Sequence, residues 1–281
     1  SIYVEKNSII KGVLTLKEIE LIGKRGKREK HFLQSDGSVI AKIYNEDIHY
    51  IENGKYKEID NTLIQKGNHY ENKNNSYKVK FPKSLDKSLF EIESDNNYIQ
   101  IKLKDFNLLK PLPKIKKKSR EIIYNNVLDN IDFEYKTLSN KVKETIILNK
   151  DSIKKLDFII TTNLDLSLED KYIIAKKDNK IIFTIDAPFM KDSNEVINNN
   201  IDYTLFKHSN YYELGLNLDF EWLNSKDRKY PIYIDPTISN NVQNNNIYDT
   251  YIYPGDTNEN RNSQPILKAG VERINGVDRV N

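Results

Sequence analysis

The chain has 281 residues, enough for two compact domains, with 38% hydrophobic residues and a mean hydropathy of −0.69. Its 44 Lys and Arg residues nearly balance its 41 Asp and Glu residues, and the resulting net charge of +3 argues against a dedicated nucleic-acid-binding protein. The absence of Cys excludes disulfides and thiolate metal sites, and no apolar run approaches the ~20 residues that a membrane helix needs.

Residues 1–23 form a segment whose conformation the pattern leaves open. Apolar residues such as Ile9, Val13 and Leu16 recur at a spacing that fits a helical stripe, but an extended strand fits as well. We predict an N-terminal linker or helix here.

Residues 24–109 are predicted to form a first β module, because strand-like runs alternate with turn dipeptides in this range. Asp36-Gly37 and Asn53-Gly54 each lie between two such runs, and Asn53 and Gly54 suit the positive φ values of a type I′ hairpin. Tyr and Ile, which favour strands, supply much of the apolar surface.

Residues 110–118 combine two prolines with five lysines, and we predict a linker between modules here. A solvated linker is the plainer interpretation; a patch for anionic wall polymers or a protease site is the functional alternative. Residues 119–238 then repeat the strand-and-turn pattern as a second β module. The sequence therefore predicts an all-β fold of tandem antiparallel sandwich-like modules.

The end of the second module contains the only tryptophan and an alternating strand between two prolines. Trp222 interrupts a polar stretch, so we predict a structural, largely buried side chain, and Pro231 and Pro236 bound the strand. Residues 239–281 then form a polar spacer and the incomplete start of a third β domain. We expect the chain to be a piece of a larger polypeptide, with the tail pairing with a sheet edge.

Candidate chemistry is sparse. Four scattered histidines form no metal-binding pair, and His49, between Ile48 and Tyr50, reads as a hydrogen-bonded structural residue. Asp219 and Glu221 would share one strand face beside aromatic residues, which makes them candidates for carbohydrate binding or, as an alternative, for glycan hydrolysis.

A second candidate site has the ligand spacing of a calcium loop. Asp256, Asn258 and Asn260 follow that spacing, but the glycine and the distal glutamate of such a loop are missing. Calcium is therefore the one ion with a candidate site, and no other cofactor is predicted. We predict that the chain is not an enzyme.

Several segments, in this order, resemble the N-terminal region of large secreted YD-repeat (Rhs-like) wall-associated proteins of Firmicutes. They are Asp36-Gly37-Ser38, Ile48-His49-Tyr50, residues 54–63, residues 142–148, Ala187-Pro188-Phe189-Met190 and residues 222–238. The segments at 249–252 and 267–270 resemble the opening of a DNRLRE-type domain, a carbohydrate-binding-like jelly roll.

The resemblance implies an exported, multidomain surface protein whose YD-repeat part encloses a C-terminal toxin and whose N-terminal β domains act in display or attachment. It implies no catalytic residue in this chain. We predict a structural or attachment module, secreted or associated with the cell wall, whose partners are the rest of the polypeptide and wall glycan, without nucleic acid. A carbohydrate-binding module is the alternative function, and a glycan hydrolase is the second.

Overall fold

A computed structural model describes residues 18–85, 88–104, 109, 111–116, 118–150, 153–241, 271–274 and 277–280. The predicted all-β, antiparallel, sandwich-like fold is confirmed. The described residues fall into two compact units, one within residues 1–59 and 245–281 and the other within residues 60–244. No helix in the described ranges is long and apolar enough to cross a bilayer.

The first unit consists of small antiparallel elements. β1 (Ile19–Glu20), β2 (Glu29–Leu33) and β3 (Val39–Ile43) form a three-stranded sheet, with a 3₁₀ turn at Ile22–Lys24. β4 (His49–Glu52) and β5 (Lys55–Glu58) form a separate hairpin. Of the predicted N-terminal linker or helix at 1–23, only residues 18–23 are described, and they contain β1 rather than an α-helix.

The β4–β5 hairpin turns at the predicted dipeptide. Asn53 and Gly54 have φ values of 51° and 71°, so both adopt the left-handed conformation that a two-residue type I′ turn requires. This turn fixes the register, which pairs His49 with Glu58 directly across the hairpin.

The second unit contains eighteen strands and one short helix, in the described ranges. The strands are β6 (Asp60–Lys66), β7 (His69–Asn74), β8 (Lys78–Pro82), β9 (Phe90–Ser94), β10 (Asn97–Leu103), β11 (Glu121–Leu128), β12 (Ile131–Thr137), β13 (Lys141–Leu148), β14 (Lys155–Thr162), β15 (Asp165–Glu169), β16 (Tyr172–Lys177), β17 (Lys180–Ile185), β18 (Phe189–Lys191), β19 (Ile197–Asn198), β20 (Asp202–Lys207), β21 (Tyr212–Asn217), β22 (Ile232–Asp235) and β23 (Ile238–Asn240). The helix is α1 (Phe220–Leu223).

These strands form two antiparallel sheets. The eight-stranded sheet has the order β20-β21-β14-β10-β9-β8-β7-β6. The ten-stranded sheet has the order β15-β16-β17-β23-β13-β22-β18-β19, and β12 pairs with both β13 and β11. In β12 and β13 every second residue is buried, which is the pattern of a sheet with one face against a core.

Aromatic rings from both sheets fill the core between them. Phe81 and Phe90 of the eight-stranded sheet each lie 5.1 Å, ring centre to ring centre, from Tyr135 of the ten-stranded sheet. Tyr77 bridges the same two layers, because its hydroxyl donates to the carbonyl of Leu138 at 2.6 Å. The two sheets therefore pack face to face as a sandwich.

The predicted division into modules at 24–109 and 119–238 differs from the observed arrangement. β10, from the first predicted module, pairs with β14, from the second, over Ile99↔Thr162 to Leu103↔Phe158. The predicted linker therefore lies between strands of one sandwich, and within its described part Lys114 forms a β-bridge with Ile123. Pro111 and Pro113 lie between β10 and β11, and a proline-rich connection between two strands does not require a domain boundary.

The predicted third domain at 239–281 falls mostly outside the described residues. Within it the structure shows residues 239–241 and a hairpin of β24 (Val271–Ile274) with β25 (Val277–Val280). The strand-like runs at 247–253 and 265–269, and hence the expected pairing of the tail, lie outside the described part of the chain.

Candidate ligand-binding groove

A groove of about 530 Å³ lies on the outer face of the ten-stranded sheet. β12, β13, β22 and β18 lie side by side there, and their outward residues form its floor. Outward and inward residues alternate along each strand, so the same strands supply the core and the groove.

Strand register arranges the floor in cross-strand rows. Glu134 pairs with Thr145, and Asp235 pairs with Phe189, so one row of side chains runs across four strands. In the next row Tyr233 lies opposite Lys191. Phe189 and Tyr233 are both half-buried, which leaves part of each ring accessible from the groove.

Most charged residues in the groove are held in ion pairs. Lys143 lies 2.9 Å from Asp235, and Lys191 lies 2.7 Å from Glu195. Glu134 has no ion-pair partner in the described part of the chain. Partly exposed pairs of this kind contribute little to stability, so a ligand can exchange partners with them.

This arrangement can bind a ligand that combines apolar faces with polar edges. Aromatic rings pack against the C–H faces of sugars or against apolar side chains, while fixed ion pairs offer donors and acceptors to hydroxyl, carboxylate and ammonium groups.

The inner face of β13 carries a buried acid directly between two groove residues. Glu144 is 4% exposed and accepts a hydrogen bond of 2.8 Å from the Tyr135 hydroxyl. Burial raises the pKa of Glu144 to about 8, the hydrogen bond from Tyr135 opposes that rise, and the charge of Asp235 adds to it. The sequence already indicated that Glu144 faces the core, because Glu144 lies on the same strand face as the apolar residues Val142 and Ile146.

The predicted pair Asp219 and Glu221 lies outside this groove. The expectation of a shared strand face is wrong, because these residues begin α1: Asp219 is its N-cap and accepts a hydrogen bond of 3.0 Å from the Trp222 amide. That bond, with two more from Asn198 and Asn200, lowers the pKa of Asp219. Glu221 is exposed, and carbohydrate binding by the pair stays a prediction.

Trp222 is partly buried and packs against the core, and its predicted structural role stays a prediction. The Arg228 guanidinium lies over the Trp222 ring, 4.3 Å from the ring centre, so one face of the indole makes a cation–π contact. Pro231 follows a cis peptide bond after Tyr230, and Pro236 lies between β22 and β23, as predicted for the bounds of that strand. The calcium candidates Asp256, Asn258 and Asn260 lie outside the described residues.

A cluster of potential metal ligands lies in the first unit. His49 and Glu58 from the β4–β5 hairpin come together there with Glu20 from β1. Burial lowers the pKa of His49, and a hydrogen bond from Lys30 lowers the pKa of Glu58. The sequence alone showed no pair of histidines and therefore missed this cluster, but the Asn53-Gly54 turn already implied that His49 faces Glu58.

Comparison with known proteins finds similarity to wall-associated proteins. The chain is 29% identical over 273 residues to the tRNA3(Ser)-specific nuclease WapA of Bacillus spizizenii, covering 88% of this chain and 12% of that protein. It is 28% identical, with the same coverage, to the tRNA nuclease WapA of Bacillus subtilis. A protein named "Wall-associated protein" from Geobacillus stearothermophilus is 26% identical over 64% of this chain and 77% of its own length.

No family model and no solved structure matches the chain. The prediction that it is not an enzyme is contradicted by the nuclease names of its relatives, and those names also conflict weakly with the predicted absence of a nucleic-acid partner. The chain spans about an eighth of the length of the nucleases that it matches.

The predicted secreted or wall-associated location is confirmed. By its similarity to WapA and to the Geobacillus protein, the chain is a wall-associated module of a larger protein.

Proposed function

We propose that this chain is an attachment module whose outer groove binds a cell-wall polymer. The observation that carries the proposal is the groove itself, which has aromatic and charged residues on an open sheet face. Similarity to the Geobacillus protein named "Wall-associated protein" over 64% of the chain supports a wall component as its ligand.

Wall glycan with its stem peptides has the chemistry that this groove can recognise. Tyr233 and Phe189 supply ring faces for sugar C–H groups, and the Lys143–Asp235 pair supplies a donor and an acceptor for hydroxyl groups or for the charged ends of stem peptides. The groove contains both signs of charge, which suits a zwitterionic polymer better than a uniformly anionic one.

Co-sedimentation of the purified chain with isolated wall sacculi tests the proposal. The double variant Tyr233→Ala/Phe189→Ala should bind about 30-fold more weakly, if each ring contributes about 1 kcal/mol. Phe206→Ala is the matched control, because that ring is 60% exposed on β20 in the other sheet. Failure of the unaltered chain to sediment, or equal binding by the double variant, would overturn the proposal.

We also propose that the larger protein cleaves tRNA. The names of the Bacillus relatives support this, and the YD-repeat resemblance suggests repeats elsewhere in the same polypeptide. Incubation of tRNA transcripts with the chain and with the longer protein tests it. Cleavage by the chain places the activity within these residues, and absence of cleavage by the longer protein refutes the proposal.

A further inference from the structure

The hairpin register brings a histidine and a carboxylate together in the first unit. His49 and Glu58 are direct cross-strand partners, so their side chains lie on the same face of the β4–β5 hairpin. Glu20, from β1, approaches the same point, and one ligand atom from each residue lies within 4.8 Å of the others.

The His49 ring is fixed in a tautomer that leaves one nitrogen free. Its Nδ1 lies 2.7 Å from the Gly26 carbonyl oxygen. Because a carbonyl only accepts, Nδ1 carries the proton and Nε2 holds a lone pair. A backbone carbonyl that orients the ring in this way is the usual outer contact of a histidine that binds metal.

The free nitrogen is buried and has no hydrogen-bond partner among the residues that the structure describes. His49 is 1% exposed, and its Nε2 is completely buried. A buried lone pair without a hydrogen-bond donor is unfavourable, since the burial of a polar atom has to be compensated by a partner. The unsatisfied Nε2 is an observation separate from the two carboxylates, and it indicates a ligand that accepts an electron pair, such as a metal ion.

Two cations of the protein now hold the carboxylates. Arg25 donates a hydrogen bond of 2.7 Å from Nε to Glu20 and one of 2.9 Å from a terminal nitrogen to Glu58. Lys30 also donates a hydrogen bond to Glu58. Both cations contact Glu58 through Oε1, so Oε2 is the oxygen of Glu58 that remains for another ligand. A metal ion would share Glu58 with them and compete with Arg25 for Glu20.

We propose that Glu20, His49 and Glu58 bind a divalent transition-metal ion of the zinc class, with Arg25 as its competitor. One imidazole and two carboxylates suit Zn²⁺ or Co²⁺, whereas Ca²⁺ and Mg²⁺ prefer oxygen ligands alone. Tetrahedral bonds of about 2.0 Å would place ligand atoms about 3.3 Å apart, so binding requires only a modest closing of the cluster.

Titration calorimetry of the whole chain with ZnCl₂ tests the proposal. We expect one site, which His49→Gln and Glu58→Gln each weaken at least about tenfold. Glu58→Gln should fold normally, because the Glu58 side chain is 53% exposed. His69→Gln is the matched control, since His69 also lies beside a glutamate, Glu71, at 3.2 Å but in the second unit.

Arg25→Gln provides a test in the opposite direction. Loss of the competing guanidinium should tighten Zn²⁺ binding about fivefold, which is about 1 kcal/mol and the worth of one exposed ion pair that no longer has to be broken. Zn²⁺ binding elsewhere on the surface would not respond to this substitution. Circular dichroism checks that each variant is folded. Absence of a stoichiometric site in both the unaltered chain and Arg25→Gln would overturn the proposal, as would equal affinity in His49→Gln and Glu58→Gln.

Discussion

Glu144→Gln should remove most of the loss of stability that the chain undergoes as the pH rises from weakly acidic to weakly alkaline. Glu144 faces a core lined by Ile101, Phe158 and Leu216 from the opposite sheet. In that setting the neutral carboxyl group is favoured over the carboxylate, and the Tyr135 hydroxyl does not supply enough compensation.

The sign and size of the effect follow from the raised pKa. The pKa of Glu144 is 4.5 in the unfolded chain and about 8 in the folded chain, so its stabilising contribution is complete below pH 4.5 and is lost as the pH rises to 8. At 1.36 kcal/mol per pH unit the loss amounts to about 5 kcal/mol. Above pH 8 the carboxylate is present in both states, and this group adds no further change.

Urea unfolding of the unaltered chain and of Glu144→Gln at intervals from pH 5 to pH 9 measures the effect. The amide keeps an acceptor for Tyr135 but does not ionise, and other groups that titrate in this range cancel in the difference between the two proteins. The stability of the variant relative to the unaltered chain should therefore increase with pH. Parallel curves over the whole range would refute the reasoning.

Three further predictions concern single contacts. Asp219→Ala should lower the free energy of unfolding by about 1 kcal/mol through loss of the α1 cap, with the exposed Glu221→Ala within about 0.5 kcal/mol of the unaltered chain, both by urea unfolding. Gly54→Ala should destabilise the β4–β5 hairpin by about 1 kcal/mol, because the φ of 71° at Gly54 is unfavourable for alanine. Amide hydrogen exchange in β4 measures this effect, and Gly23→Ala is the control, because Gly23 has no positive φ. Tyr77→Phe should lower the free energy of unfolding by about 1 kcal/mol, because the Tyr77 hydroxyl donates a hydrogen bond of 2.6 Å to the Leu138 carbonyl. The half-buried Tyr98 is the control, and an equal loss of stability in Tyr98→Phe would contradict this prediction.

Local features of the fold were predictable because they depend on neighbouring residues. The Asn53-Gly54 dipeptide determines both the hairpin and its register, since only certain residues accept positive φ at both positions. The alternation along residues 141–148 likewise determines which side chains face the core, and it would have placed Glu144 inside.

The division into units was not predictable from local composition. The pairing of β10 with β14 joins residues about sixty positions apart, and nothing near Leu103 or Phe158 specifies that partner. The observed boundary lies between Ile59 and Asp60, where one strand follows another without proline, glycine or a charge run. The proline- and lysine-rich segment was conspicuous for a different reason, which is that it crosses from one sheet to the other.

Strand β13 links the core chemistry to the groove. Its inward residue Glu144 belongs to the core, and its outward neighbours Lys143 and Thr145 belong to the groove floor. Three other strands pair with β13, namely β12, β22 and β23, so its backbone position is fixed from both sides. Substitutions at Lys143 or Thr145 therefore alter the groove without reaching the core, whereas Glu144→Gln alters the core and leaves the groove surface intact. The two effects can be measured separately on adjacent residues, and a change in wall binding by Glu144→Gln at constant stability would show that the groove depends on more than its surface.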